Sequence, residues 1–393
     1  MKNTVTAASL ALLTAGMAQA EEIKLGVLMG FTGPIESMAP QIAGGAEMAM
    51  QEVTQSGKLL GGAKVVPIRA DSTCVDSSAA TAAGERLVTS DQVKGIIGAT
   101  CSGATGSVLI NVAIPHGVVM ISPSATSPAL SETEDDGLFF RTAPSDARQG
   151  QVMAEVLLED GVREVAVTYT NNDYGKGLAD SFETAFAKAG GSITLSAAHE
   201  DGKADYTAEV GALASAGGDR LVLLGFVDQG GAGVLRAALD TGAFDQFHFA
   251  DGMLASKLEA DFGADLEGST GQLPGTDSPG SKLYADLVDG AFDVTSPFSP
   301  EGYDAAALML LAMQAAGSSD PQVYKDHVMT VANAPGEQIF PGELDKALQI
   351  LADGGAVDYV GSTDVELFGS GESAGSYRQI QIQDGAITTV KYR

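Results

Sequence analysis

Apolar positions along this chain fall into two alternating patterns. Short apolar runs of strand length lie at 23–28, 64–70, 93–97 and 118–121. Between them the apolar residues take helical spacing. Ile42, Ala46, Ala49, Met50 and Val53 share one helix face, and Ala80, Ala83 and Leu87 share another within 77–87. Turn residues separate the elements, at Gly30-Phe31-Thr32-Gly33-Pro34 and at Gly61-Gly62. Strand-helix alternation of this kind predicts an α/β fold, a parallel sheet with helices on both faces. Residues 138–144 (LFFRTAP) read as an extended crossing, after which the alternation restarts. Helices are expected at 149–158, 178–189, 206–216 and 234–239, and strands at 164–169, 193–197, 220–227 and 247–250. The second series is as long as the first, so it predicts a second α/β lobe. Residues 274–280 read as a Pro/Gly linker, and the helices at 282–292 and 303–316 return to the first lobe. Strands at 379–382 and 387–392 flank Asp384-Gly385, a hairpin pattern.

The N-terminus changes the compartment. Lys2, the apolar run 5–16 and Ala18-Gln19-Ala20 have the form of a cleavable signal peptide, with cleavage expected after Ala20. No later run reaches the length of a membrane span, so the mature chain is expected to be exported and, in a Gram-negative cell, periplasmic. There are 22 Lys plus Arg against 51 Asp plus Glu, a net charge of −29, which argues against a nucleic-acid partner. Cys74 and Cys101 are an even count in an exported chain, which suggests a disulfide; two buried thiols are the rival reading. Four scattered His lack ligand spacing to either Cys, so no metal is expected.

The candidate chemistry concentrates in 98–130. Each of two expected strands there runs into small hydroxyl residues: Thr100, Cys101, Ser102 and Thr105 after the first, and Ser122, Ser124, Ala125, Thr126 and Ser127 after the second. Ligands bind at the carboxyl ends of parallel strands, and helix N-termini there offer free N–H groups to an anion. The same residues also serve as N-caps and turns. An enzyme is not expected: the chain has no metalloprotease helix, no G-x-S-x-G elbow and no P-loop lysine. Gly230-Gly231-Ala232-Gly233 reads as a turn between strand and helix, and its spacing misses the dinucleotide pattern, so no cofactor is expected. Asp251 follows the strand at 247–250, either facing a cation or closing a turn. Tyr174, in Asn171-Asn172-Asp173-Tyr174-Gly175, either closes over a ligand or stacks at a helix start.

With these residues in view, the chain resembles the type I periplasmic solute-binding proteins, in particular the leucine/isoleucine/valine-binding group. The resemblance rests on Thr32-Gly33-Pro34, the run 44–49, Asp71 with Cys74, Cys101-Ser102, the run 121–130, Asp173-Tyr174-Gly175-Lys176-Gly177 and Tyr303-Asp304-Ala305 in order. It implies two doubly wound lobes joined by a three-segment hinge, closing around a solute. The first lobe would take 21–143 with 272–362, and the second 144–271 with 363–393; the crossings would fall near 141–145, 267–276 and 359–367. It further implies that the solute carboxylate meets Ser102 and the Thr126 N–H. The ammonium would meet the Ser124 carbonyl, the Thr126 hydroxyl and Asp251. Ala125 lies within that loop, and Tyr174 covers the solute. Phe298 and Phe226 would fall on side-chain pocket positions. Met38 takes the place of a first-lobe aromatic, a departure that bears on side-chain specificity. The Cys pair matches the family's disulfide. The implied partners are an amino acid and an inner-membrane ABC permease, with the protein itself a monomer. A free sensory protein, or a receptor for an aromatic acid, urea or short amide, stands as the alternative.

Overall fold

The computed structural model describes residues 21–393; the expected signal peptide lies outside the described residues. In chain order the strands are β1 (Glu22–Met29), β2 (Lys64–Asp71), β3 (Ile96–Gly98), β4 (Met120–Ser122) and β5 (Phe139–Pro144). Next come β6 (Glu164–Thr170), β7 (Ser192–His199), β8 (Arg220–Leu224), β9 (Phe247–Phe249) and β10 (Thr270–Pro274). The last six are β11 (Glu337–Ile339), β12 (Val357–Tyr359), β13 (Leu367–Phe368), β14 (Glu372–Ser373), β15 (Tyr377–Gln383) and β16 (Ala386–Tyr392).

They form two seven-stranded sheets and a small parallel pair, β11 with β12. The first sheet runs β13-β14-β5-β4-β3-β1-β2, and the second β16-β15-β10-β9-β8-β6-β7. The central strands of both are parallel, in the same order, with β1 and β6 as the points where strand order reverses. Such switch points open a crevice at the carboxyl ends of the strands, and here the two crevices face each other. The fold is the two-lobed α/β architecture expected from the alternation. The strand pairing takes the chain from one sheet to the other after β5, after β10 and after β14.

The helices form where the apolar spacing places them. Helix Ala39–Ser56 buries Ile42, Ala46, Ala49, Met50 and Val53, the face read from sequence. It packs on helix Ser299–Ala316, which is buried on almost every side. Gly45 and Gly302 make that approach possible, because a Cβ at either would collide with the other helix's backbone, the Ser299 or the Ile42 carbonyl. Asp304, on the central helix, accepts from the Tyr359 hydroxyl (2.8 Å) and from N–H and O–H of both Ser362 and Thr363 (2.7–2.9 Å). The Tyr303-Asp304-Ala305 motif thus ties the segment after β12 to the core.

Several expectations needed correction. Gly230–Gly233, which follows a strand, forms the first turn of helix Gly230–Thr241 rather than a separate connecting turn. Gly231 lies against Met253 and the Phe226 backbone, and Gly233 against the Tyr206 ring, so their lack of side chains serves close packing. Asp173–Gly177 is likewise the first turn of helix Asp173–Lys188, capped by the Asn172 side chain on the Gly175 N–H (2.9 Å). The linker at 274–280 is the end of β10 and the start of helix Pro279–Val288. β13 and β14 lie on the first sheet, beyond the boundary at 362, because β14 pairs with β5. The helices Pro321–Val331 and Leu344–Ala352 and the four short strands β11 to β14 were not foreseen, although helix Leu344–Ala352 is clearly amphipathic, burying Leu344, Ala347 and Leu348 on one face.

Candidate functional site

The loops after β3 and β4 supply the first wall. Cys101 precedes helix Ser102–Val108, and the chain after β4 folds back at Ser124–Ser127 before the short turn Pro128–Glu132. Hydroxyls hold these loops together. Thr100 Oγ1 accepts the Gly30 N–H (3.0 Å), Ser122 Oγ donates to the Ala99 carbonyl (2.6 Å), and Ser124 Oγ donates to the Thr100 carbonyl (2.9 Å). Ser102 Oγ accepts the Ser127 N–H (3.1 Å), which joins the two strand ends directly. Arg141 on β5, fully buried, donates to the Ala125 and Ser127 carbonyls (3.1 and 2.9 Å) and pairs with Glu372 (2.9 Å). The turn-and-cap reading of the hydroxyl cluster is therefore true of most of its members. Cys74 and Cys101 are bonded, with Cα atoms 5.3 Å apart, and tie the loop after β2 to the start of the Ser102 helix.

The second wall comes from the facing sheet. Tyr174 stands in the first turn of its helix and stacks on Phe226, ring centroids 5.1 Å apart. The Tyr174 hydroxyl donates to Asp251 Oδ1 (2.7 Å), which also accepts the Gly252 N–H (2.6 Å). The other oxygen, Asp251 Oδ2, is buried and has no protein partner. Burial pushes the Asp251 carboxyl up to about 6, although Tyr174 and the Gly252 N–H act against it.

These walls line a narrow cavity of about 30 Å³, bounded by Ile35, Met38, Ile42, Thr100, Cys101, Ser102, Ser124, Thr126, Tyr174, Phe226, Asp251, Gly252 and Phe298. Of the residues singled out from the sequence, Met38, Thr100, Cys101, Ser102, Ser124, Thr126, Tyr174, Phe226, Asp251 and Phe298 line it, whereas Cys74, Thr105, Ser122 and Ser127 do not, nor does Ala125, whose N–H donates to Ser122 Oγ (3.0 Å) and whose carbonyl is held by Arg141. Phe298 reaches the cavity from a left-handed backbone conformation (φ 65°), the position that starts the central helix. Such a φ is uncommon for a bulky residue and is held here by the surrounding structure. Ile35 was not singled out, and Ile42 was read only as a helix-face residue. One end of the cavity is apolar and the other carries hydroxyls, helix-start N–H groups and one acid.

Asp146 and Gln149, on helix Asp146–Glu159, stand behind the polar end and were not singled out. Both are fully buried, and neither side chain has a protein hydrogen-bond partner. In sequence Ser145-Asp146 reads as a helix cap and first-turn acid, and Ser145 does cap Ala147 N–H (3.3 Å). The Asp146 carboxyl, which shares its surroundings with Asp251, is visible only in three dimensions. Among the described residues there is no cluster that could hold a metal ion.

The family model described as periplasmic binding protein matches residues 22–334. The chain belongs to that family. A Leu/Ile/Val-binding protein homolog of Brucella melitensis is 29% identical over 316 residues, covering 78% of this chain and 83% of the relative. The leucine-, isoleucine-, valine-, threonine- and alanine-binding protein of Pseudomonas aeruginosa is 27% identical, covering 77% and 81%. Among solved structures, a leucine-binding protein of Thermotoga maritima superposes with a TM-score of 0.79 at 21% identity, covering 94% of this chain and 98% of that one. A Rhodopseudomonas palustris solute-binding protein in complex with benzoate gives a TM-score of 0.76 at 17% identity, covering 94% and 96%. At these identities the structural likeness is one of fold. The family's members are named as solute-binding proteins, and no helix among the described residues is long and apolar enough to cross a membrane.

Proposed function

We propose that this protein is the periplasmic solute-binding component of an ABC transporter, that it captures a small hydrophobic amino acid between its lobes, and that it delivers the solute to an inner-membrane permease. The observation that carries this reading is the unpaired, buried Asp251 Oδ2 on one wall, across the cavity from the hydroxyl and N–H groups at Ser102 and Thr126. A zwitterion complements both. Its carboxylate takes the donors at Ser102 and Thr126, charge-assisted bonds that need no lysine. Its ammonium takes Asp251 Oδ2, the Thr126 hydroxyl and the Ser124 carbonyl. Ile35, Met38, Ile42, Phe226 and Phe298 then receive an aliphatic side chain, and Met38 leaves a softer wall than an aromatic would. The relatives named for leucine, isoleucine and valine support an amino acid as the solute. An aromatic carboxylate would leave the acid unpaired in a buried site, which costs several kcal/mol. In this reading the chain is processed after Ala20, works as a monomer, and binds without catalysis or cofactor.

The test is a thermal-shift series on the mature protein with L-leucine, L-isoleucine, L-valine, L-alanine and benzoate. A ligand at about a hundred times its dissociation constant should stabilise by roughly 2.7 kcal/mol. Stabilisation by benzoate and by none of the amino acids would overturn the reading.

A further inference from the structure

The polar end of the cavity is backed by more acid than one ammonium requires. Asp146 is fully buried, and both of its oxygens lack a protein partner; the same holds for Asp251 Oδ2 and for both amide atoms of Gln149. Buried polar side chains are rarely left so, and here they gather on two adjoining elements, helix Asp146–Glu159 and the turn Asp251–Met253. The Asp146 N–H donates to the Thr126 carbonyl (2.9 Å), which places the start of that helix directly behind the cavity-lining threonine. The Thr126 hydroxyl faces Asp146 and the Gln149 amide faces Asp251, each outside hydrogen-bond geometry. We propose that Asp146 and Asp251 work as one acidic pair, holding a proton while the site is empty and releasing it to solvent when the solute's ammonium arrives, with Asp146 positioning the Thr126 hydroxyl. This rests on the amino-acid reading above.

The surrounding charges favour one retained proton. Burial raises the Asp146 carboxyl well above its ordinary range, and the Asp251 charge raises it further. Two like charges this close do not both ionise readily, so the protons leave in two separated steps that belong to the pair. Arg141 opposes this, but its guanidinium is already engaged by the Ala125 and Ser127 carbonyls, Ser131 and Glu372. Arg148, on the Asp146 helix, lies near the surface opposite Glu155 (3.7 Å). Glu301, on the central helix, is pushed up to about 8 by burial and adds no full charge at neutral pH. The Tyr174 and Tyr377 hydroxyls are raised and stay neutral. A solute ammonium beside Asp251 Oδ2 supplies the missing positive charge. The pair then ionises, and the Thr126 hydroxyl donates to Asp146 while its lone pair accepts from the ammonium. The proton lost from the pair goes to buffer, and no other bond changes.

Isothermal titration of the mature protein with L-leucine at pH 7, in buffers of different ionisation enthalpy, reads this directly. The expected result is net proton release on leucine binding, with affinity rising as the pH rises through the range in which the empty pair still holds its proton. Asp146→Asn should bind leucine with neither proton release nor that pH slope, an outcome that a purely structural role for Asp146 would not give. Wild-type binding with no dependence on buffer would overturn this inference and leave the amino-acid reading standing. Proton release that persists in Asp146→Asn would overturn the role of Asp146. Should that variant fail to fold, the wild-type infrared difference spectrum decides: loss of a protonated carboxyl band on adding leucine supports the pair, and its absence refutes it. No binding of leucine, isoleucine, valine or alanine would overturn the amino-acid reading and this inference with it.

Discussion

In the proposed reading, Asp251 is the residue on which the solute class turns. One of its oxygens is fully engaged by Tyr174 and the Gly252 N–H, and the other is buried without a protein partner. Asp251→Asn keeps the shape and removes the charge. It should weaken binding of a hydrophobic amino acid by about 2–5 kcal/mol, the range for truncating one partner of a buried charged pair. It should change little for the matching acid without the amino group. Calorimetric titration of both variants with both compounds checks this, and equal losses for the two compounds would return Asp251 to the role of a turn residue. At this scale the sequence was informative where chemistry sits in a short contiguous run. Ser102, Ser124 and Thr126 stand out as hydroxyls after apolar strands. Asp146 does not stand out, because a Ser-Asp pair at a helix start is ordinary capping chemistry until the fold sets it behind Thr126.

At the scale of elements, the cavity wall depends on how the loops after β2 and β3 are tied. The Cys74–Cys101 bond joins them across a separation of 27 residues, and Cys101 itself lines the cavity beside Ser102. On the loop-entropy model this link contributes roughly 3–4 kcal/mol to stability. The double substitution Cys74→Ser with Cys101→Ser should lower denaturation stability by about that amount. It should also weaken solute binding, because the start of the Ser102 helix is no longer anchored. Urea unfolding together with titration measures both; unchanged affinity would show that the Ser127 N–H and Thr100 bonds suffice to hold the loop. The elements that were legible are those with strong periodicity, such as β1, helix Ala39–Ser56 and the β15–β16 hairpin, whose turn residues Asp384 and Gly385 both take positive φ. At the glycine-rich helix starts around Gly175 and Gly230, glycine suits both a connecting turn and a tight helix contact, and the packed neighbours show that it serves the contact.

Across the whole molecule, the two lobes touch beyond the solute cavity. Ser37, on the first-lobe side, donates from its N–H and hydroxyl to Asp228 Oδ2 on the second (2.9 and 2.7 Å). A cleft that opens to admit solute would break this bridge, and closure would remake it. Asp228→Ala should therefore weaken solute binding by about 1 kcal/mol, the scale of a partly exposed hydrogen-bonded pair, without touching the solute. Small-angle scattering of wild type should show compaction on saturation with leucine, and of the variant a larger ligand-free radius. Identical scattering with and without solute would argue that the lobes do not move.

The sequence by itself determined the two-lobed α/β class, because strand and helix periods are local and repeat twice. Through the order of its short motifs it also placed the solute cavity at the strand ends. It determined the disulfide candidates by simple count. The tertiary structure alone decided which hydroxyls are consumed by loop bonds and which line the cavity, since that depends on strand register between β3, β4 and β5. It also carried β13 and β14 to the first sheet through pairing that no local pattern encodes. The meeting of Asp146 with Asp251 was decided in the same way: the two acids lie more than a hundred residues apart in the chain, and only the packing of helix Asp146–Glu159 on the second sheet brings their charges together.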